Sequence, residues 1–190
     1  DIIFKGDIPK ELSNEIFDLN INEEIHKSIY KGDFWYSEKP LDEAHEYHKE
    51  SGFTYNVRKF SELKNSEVIK FFYINENEKL IRNLENEIKE KFGDRINLTL
   101  SLPICLEIMN KGISKGSAIT DILLPKFGIE TEEVISFGDG LNDYEMLDVV
   151  GEGLLMGNCN PRLKELLPNN KVIGRNDENG VAEYLKKVFL

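Results

Sequence analysis

The chain has 190 residues, 40% hydrophobic and 31% charged, an ordinary globular composition with length for one large domain or two small ones. Its 24 Lys and Arg against 35 Asp and Glu give a formal net charge of −11, which counts against nucleic acid and anionic membranes as partners, since both need a basic footprint. A phosphorylated substrate would be repelled as well, unless a metal and a nearby Lys reverse the field at its site.

The chain opens, without Met, on the apolar patch Ile2-Ile3-Phe4, which reads as a strand and makes the chain look like a piece of something longer. The start does not read as a signal peptide. Pro9 suits the first turn of a helix running to about Asn20. Residues near Ile25–Tyr30 and Phe34–Tyr36 look extended, and a helix around Leu41–Glu50 stops at Gly52. Val68–Ile74 is the best strand candidate, rich in aromatic and β-branched residues. The run Asn75-Glu76-Asn77-Glu78 reads as a helix start with favourable acidic residues. Over residues 76–91, Leu80, Leu84 and Ile88 recur at helical spacing beside Ile81, and Gly93 ends that helix. Strands near Ile96–Leu100 and Ile104–Met109 complete a first domain over residues 1–109, an α+β layer with helices on one face.

From Asn110-Lys111-Gly112 the pattern changes. Ser114 is a plausible N-cap for a helix from about Lys115, which Pro125 should kink or end near Leu124. A strand at Val134–Phe137, a helix after Asn142, a strand at Leu154–Met156 and a helix begun by Pro161 follow. Val172-Ile173 is a last short strand, and a final helix carries Val181, Tyr184, Leu185 and Val188. This alternation predicts that residues 110–190 form a parallel doubly wound sheet. With about three strands, where five or six are usual, that sheet is incomplete. The expected fold class is α/β, an incomplete doubly wound parallel (Rossmann-like) sheet plus an α+β domain. No apolar run approaches the roughly 20 residues of a membrane span. Cys105 and Cys159 are far apart and form no CxxC motif, so two reduced thiols in a cytoplasmic protein are expected.

The chemistry concentrates in Ile135-Ser136-Phe137-Gly138-Asp139-Gly140-Leu141-Asn142-Asp143. Two carboxylates and an amide follow an apolar strand, at the end where open α/β sheets hold their ligands. Hard oxygen ligands so grouped suit Mg²⁺ better than a soft metal. The plain alternative is that Asp and Asn cap the next helix while Gly138 and Gly140 relax the turn. Lys115 opens a helix, where backbone N–H groups and the dipole already attract anions. A Lys there is a poor match unless an anion sits between it and a metal; otherwise it is a solvated lysine in a loop.

Other features read more simply. His45 and His48 lack the HExxH spacing of zinc proteases and suit an exposed polar face. Phe34-Trp35-Tyr36 could line a substrate lip, although core or edge-strand packing is the simpler account. Cys105 on its strand reads as a small buried apolar residue.

The segment from about Ile108 to Leu190 resembles motifs three and four of the haloacid-dehalogenase superfamily of phosphatases, and more closely its Cof-type, cap-bearing sugar-phosphatase branch. The matching residues are Lys115-Gly116-Ser117, Gly138–Asp143, Met156-Gly157-Asn158 and Asn176–Ala182. The resemblance implies that residues 1–109 are a cap domain and 110–190 the carboxyl-terminal half of the core. It implies a Mg²⁺-dependent phosphatase acting on a small phosphorylated metabolite, such as a sugar phosphate, through an aspartyl-phosphate. Asp139 would be a metal ligand, with Asp143 joining the metal site from the adjacent helix. Lys115 would be catalytic and, with Asn142, would bind the phosphate.

The family's nucleophilic Asp-x-Asp-Gly-[Thr/Ser] motif is absent from these residues, as is its following Ser/Thr motif. The chain alone is therefore expected to be inactive, with association either with itself or with the missing amino-terminal core segment. Two other classes compete: a non-catalytic module that binds a phosphorylated ligand or a protein, and a receiver domain. The receiver would leave the α+β region without a place.

Overall fold

Strand β1 (His26–Lys31) is the centre from which the first half is built. The computed structural model describes residues 2–41 and 50–190, in two compact units, Asp1–Gly112 and Ile113–Leu190. Among the described residues no helix is long and apolar enough to cross a membrane.

In the first unit β1 pairs antiparallel with β2 (Phe34–Ser37) and with β4 (Lys70–Ile74). β3 (Tyr55–Val57) lies parallel to β2, and β6 (Cys105–Asn110) bridges β4 and β5 (Ile96–Leu102), giving the order β3-β2-β1-β4-β6-β5. The registers Ile29↔Phe71 and Phe71↔Ile108 line up apolar residues on one face, and all three are fully buried. Helix α1 (Lys10–Phe17) buries Leu12 and Ile16. The short helix α2 spans Phe60–Leu63. Helix α3 (Glu78–Phe92) packs on β5 and β6 and buries Ile81, Leu84, Ile88 and Phe92. Each such side chain contributes about 1.5–3 kcal/mol on leaving water. Asn77 caps α3 by accepting the Lys79 N–H at 3.1 Å, and Gly93, at φ 53°, ends it in a conformation that only glycine takes readily. The opposite sheet face carries Trp35, Phe72 and Cys105 with Tyr30, Tyr55 and Ile74.

In the second unit β7 (Ile135–Gly138) and β8 (Glu152–Leu155) run parallel, and Val172 adds a parallel bridge to Leu155. Helices α6 (Tyr144–Val149) and α7 (Pro161–Leu166) cover one face through Leu147, Leu155, Leu163 and Leu167. Helix α8 (Gly180–Phe189) reaches the other, where Tyr184 meets Phe137 edge-on at 5.9 Å. The sheet is thus wound on both sides, as the alternation of elements predicts.

Several expectations change. Ile2, Ile3 and Phe4 form no strand and stand 76%, 55% and 49% exposed; nothing in the sheet pairs with them. Strand β3 and helix α2 have no clear sequence pattern, being three and four residues long. The helix expected around Leu41–Glu50, with His45 and His48, falls almost wholly outside the described residues. Pro125 does not end the helical run at Leu124. The run begun by α4 (Lys115–Ser117) widens to π geometry over Ala118–Leu123 and resumes as α5 (Leu124–Phe127). The Leu124 N–H then bonds Ile119, one residue further back than in an α-helix. Pro125 enters in a first turn, where its missing N–H leaves no gap.

Candidate active site

Strand β7 delivers Gly138 and Asp139 to the carboxyl end of the sheet, and the chain turns at Gly140 through a 3₁₀ turn, Leu141–Asp143, into α6. The turn folds Asp143 back beneath the strand end. A Cβ on Gly138 would stand 2.6 Å from the Asp143 Cβ, so glycine alone allows this approach. Asp143 is 4% exposed. Its Oδ2 accepts the N–H groups of Asp139 at 2.9 Å and of Gly140 at 3.0 Å. Its Oδ1 accepts Lys115 Nζ at 2.5 Å.

Lys115 reaches that carboxylate because α4 lies directly against α6. Gly116 permits it, since a Cβ there would be 2.8 Å from the Glu145 Cβ. Ser114 and Ser117 close a capping box: each hydroxyl accepts the other's N–H, at 3.0 and 2.9 Å. Lys-Gly-Ser therefore has a local reason at each position. The Lys115 side chain remains 51% exposed while that of Asp143 is 6% exposed. The ammonium is anchored from below and open above.

Asp139 is tied on its other side. Its carbonyl accepts the Asn160 N–H at 2.8 Å, and its Oδ2 accepts Asn176 Nδ2 at 2.9 Å. Asn158 Oδ1 in turn accepts the Asn176 N–H at 3.0 Å. Asn142 sits on the 3₁₀ turn, half-buried, and its side chain makes no hydrogen bond among the described residues. Lys115, Asp139, Asn142 and Asp143 thus come to one strand end. Asn158 and Asn176 join them from the ends of β8 and of the Val172 bridge; both lie in segments that carry the family resemblance, although neither was given a role from the sequence. Besides that resemblance, the available signal was position, since each follows a strand on the side where parallel sheets gather ligands.

The loop N–H groups of Asp139 and Gly140 already serve Asp143, while the Lys115 ammonium and the Asn142 amide are side chains that could meet an anion here. Among the described residues no group of three or more His, Cys, Asp or Glu could hold a metal. Asp139 Oδ1 has no hydrogen bond among the described residues and is a hard oxygen donor. That chemistry fits Mg²⁺, which keeps several waters and is commonly bound through one or two carboxylates. Both oxygens of Asp143 are already engaged. Burial is the largest cause that pushes up both the Cys105 and the Cys159 thiol, which keeps both protonated and poor nucleophiles. Neither cysteine is bridged.

A family model described as haloacid dehalogenase-like hydrolase matches residues 1–185. A Haemophilus influenzae protein, described as a proposed phosphatase, is 35% identical over 189 residues, covering 99% of this chain and 69% of that one. An HMP-PP phosphatase of Serratia proteamaculans is 33% identical over 181 residues, covering 95% and 65%. The chain thus spans about two-thirds of these relatives. A Thermotoga maritima crystal structure is matched with TM-score 0.70 at 27% identity, over 97% of this chain and 68% of the other. A subclass IIB sugar phosphatase of the haloacid dehalogenase superfamily is matched with TM-score 0.80 at 23% identity, over 98% and 69%. At that identity the likeness speaks for the fold.

Proposed function

The chain belongs to the haloacid dehalogenase-like hydrolases, and from that premise we propose that it is the cap and carboxyl-terminal core half of a Mg²⁺-dependent phosphatase for a small phosphorylated metabolite. Residues 1–109 are the cap in this reading and 110–190 the core half. One observation carries it. Asp143 joins Lys115 to the Asp139 loop through a single carboxylate, so a cation and a metal-type carboxylate are presented together.

Lys115 draws the phosphate in and neutralises its oxygens, and Asn142 donates a hydrogen bond that orients it. Asp139 would hold the metal through the oxygen that has no hydrogen bond among the described residues, and Asp143 would support that site from the adjacent helix. A bound Mg²⁺ supplies positive charge against the phosphoryl oxygens, where charge neutralisation is most of the catalysis. The nucleophile is an aspartate outside these residues. Its carboxylate oxygen bonds to phosphorus as the ester P–O bond breaks, and water then hydrolyses the acyl phosphate. The edge of β7 away from β8 is unpaired among the described residues. Association there, with that core segment or with a second copy, belongs to this reading.

Calorimetry with inorganic phosphate, with and without Mg²⁺, tests the proposal. Phosphate binding that strengthens with Mg²⁺ is the expected result. Binding of equal strength in both would instead identify a phospholigand-binding module without catalytic function.

A further inference from the structure

We propose that Asn176, held in place by Asn158, is the positioning residue that aims Asp139. This rests on the reading of Asp139 as the metal carboxylate and adds to it two residues whose positions, not contacts with a ligand, matter.

The geometry fixes both amides by chemistry. An ionised carboxylate only accepts hydrogen bonds, so the group facing Asp139 Oδ2 at 2.9 Å must be the Asn176 NH₂. A backbone N–H only donates, so the group facing the Asn176 N–H at 3.0 Å must be the Asn158 carbonyl oxygen. A directed chain results, from Asn158 to the Asn176 backbone and from the Asn176 side chain to Asp139.

The supports of that chain are tight. Gly157 N–H bonds the Gly174 carbonyl at 3.1 Å, and Gly180 N–H bonds the Arg175 carbonyl at 2.9 Å. A Cβ on Gly180 would stand 2.4 Å from the Gly174 carbonyl, leaving no room for any other residue. Arg175 clamps Asp177 through two bonds of 3.0 and 3.1 Å. The turn bearing Asn176 is thus braced on both sides of that residue. Asp139 is held by Asn160 at its carbonyl, Asp143 at its N–H and Asn176 at Oδ2. With the backbone fixed at both ends, the Asn176 amide is what sets the rotation of the carboxylate and leaves Oδ1 as the oxygen to meet a cation. Partners that orient a metal-binding side chain typically carry 10–100-fold in affinity.

The test uses the 190-residue chain as wild type, Asn176→Ala, Asn158→Ala and the double variant. Without metal and at one fixed pH, the Asp139 carboxyl carbon resonance should move in both single variants, while that of Asp143 stays. In a Mg²⁺ titration, each single variant should bind about 10-fold more weakly. The double variant should be no worse than Asn176→Ala, because both changes break one chain of contacts. An unmoved Asp139 resonance overturns the proposal, as do single-variant losses that simply add. Failure of the wild-type chain to bind Mg²⁺ would instead sink the metal role of Asp139, and the metal-free resonances would still decide whether Asn176 holds it.

Discussion

Lys115 and Asp143, 28 residues apart, meet at 2.5 Å through a carboxylate whose other oxygen secures the N–H groups of Asp139 and Gly140. One buried side chain therefore sets both the cation and the loop. Neither could shift without disturbing the other.

Asp143→Asn should be destabilising out of proportion to its single changed atom. The amide has one acceptor, so its NH₂ must face either the two loop N–H groups or the Lys115 ammonium. Either way a donor meets a donor at a site 4% exposed. A loss of about 1–3 kcal/mol is expected from the unsatisfied buried group, read as a lower urea midpoint with unchanged slope. An unchanged midpoint would show that the carboxylate is not what holds this turn.

Gly138→Ala and Gly116→Ala should each destabilise by about 1–3 kcal/mol, as overpacking does. Their added carbons would stand 2.6 Å from Asp143 and 2.8 Å from Glu145. Thermal unfolding measures this, and wild-type stability in either variant would mean that these close approaches do not exist in solution.

The 190 residues alone should not turn over p-nitrophenyl phosphate with Mg²⁺, since the nucleophile is assigned outside them. Turnover that disappears in Asp139→Asn would place the nucleophile within this chain and overturn that assignment.

His26 makes a stability switch in mildly acidic solution. Burial, then the nearby Lys39, holds its pKa below the ordinary 6.5, against a smaller opposing pull from Glu38. Its Nε2 lies 2.8 Å from Ser37 Oγ. A depressed folded pKa means the neutral ring is favoured by the fold. Its contribution is complete above the unfolded pKa and fades as pH falls through the folded one. Between about pH 7.5 and 5.5, wild type should lose more stability than His26→Gln. Parallel losses in denaturant midpoint would remove His26 as the cause.

Long, strongly patterned elements are legible without coordinates. Helix α3 follows from the spacing of Leu80, Leu84 and Ile88 beside Ile81, although Ile81 and not Leu80 is buried with the other two, and β4 follows from its aromatic run. β3 and α2 escape, because elements of three and four residues owe their conformation to the neighbours they pack on. The π stretch before Pro125 escapes for a related reason. A proline's local rule predicts a break, but a one-residue slip in hydrogen bonding lets the helix absorb it.

The sequence by itself determined the chemical inventory of the site. Gly-Asp-Gly-Leu-Asn-Asp after an apolar strand, and Lys-Gly-Ser at a helix start, place their side chains through local turn geometry within a few residues. Only the tertiary structure decided how the inventory is divided. It engaged both oxygens of Asp143 in support, left Oδ1 of Asp139 without a hydrogen bond among the described residues, and brought Asn176 to Asp139 across 37 residues. The physical reason is that parallel strands joined by crossovers converge at their carboxyl ends. Which side chains touch there depends on strand register, which no local pattern encodes.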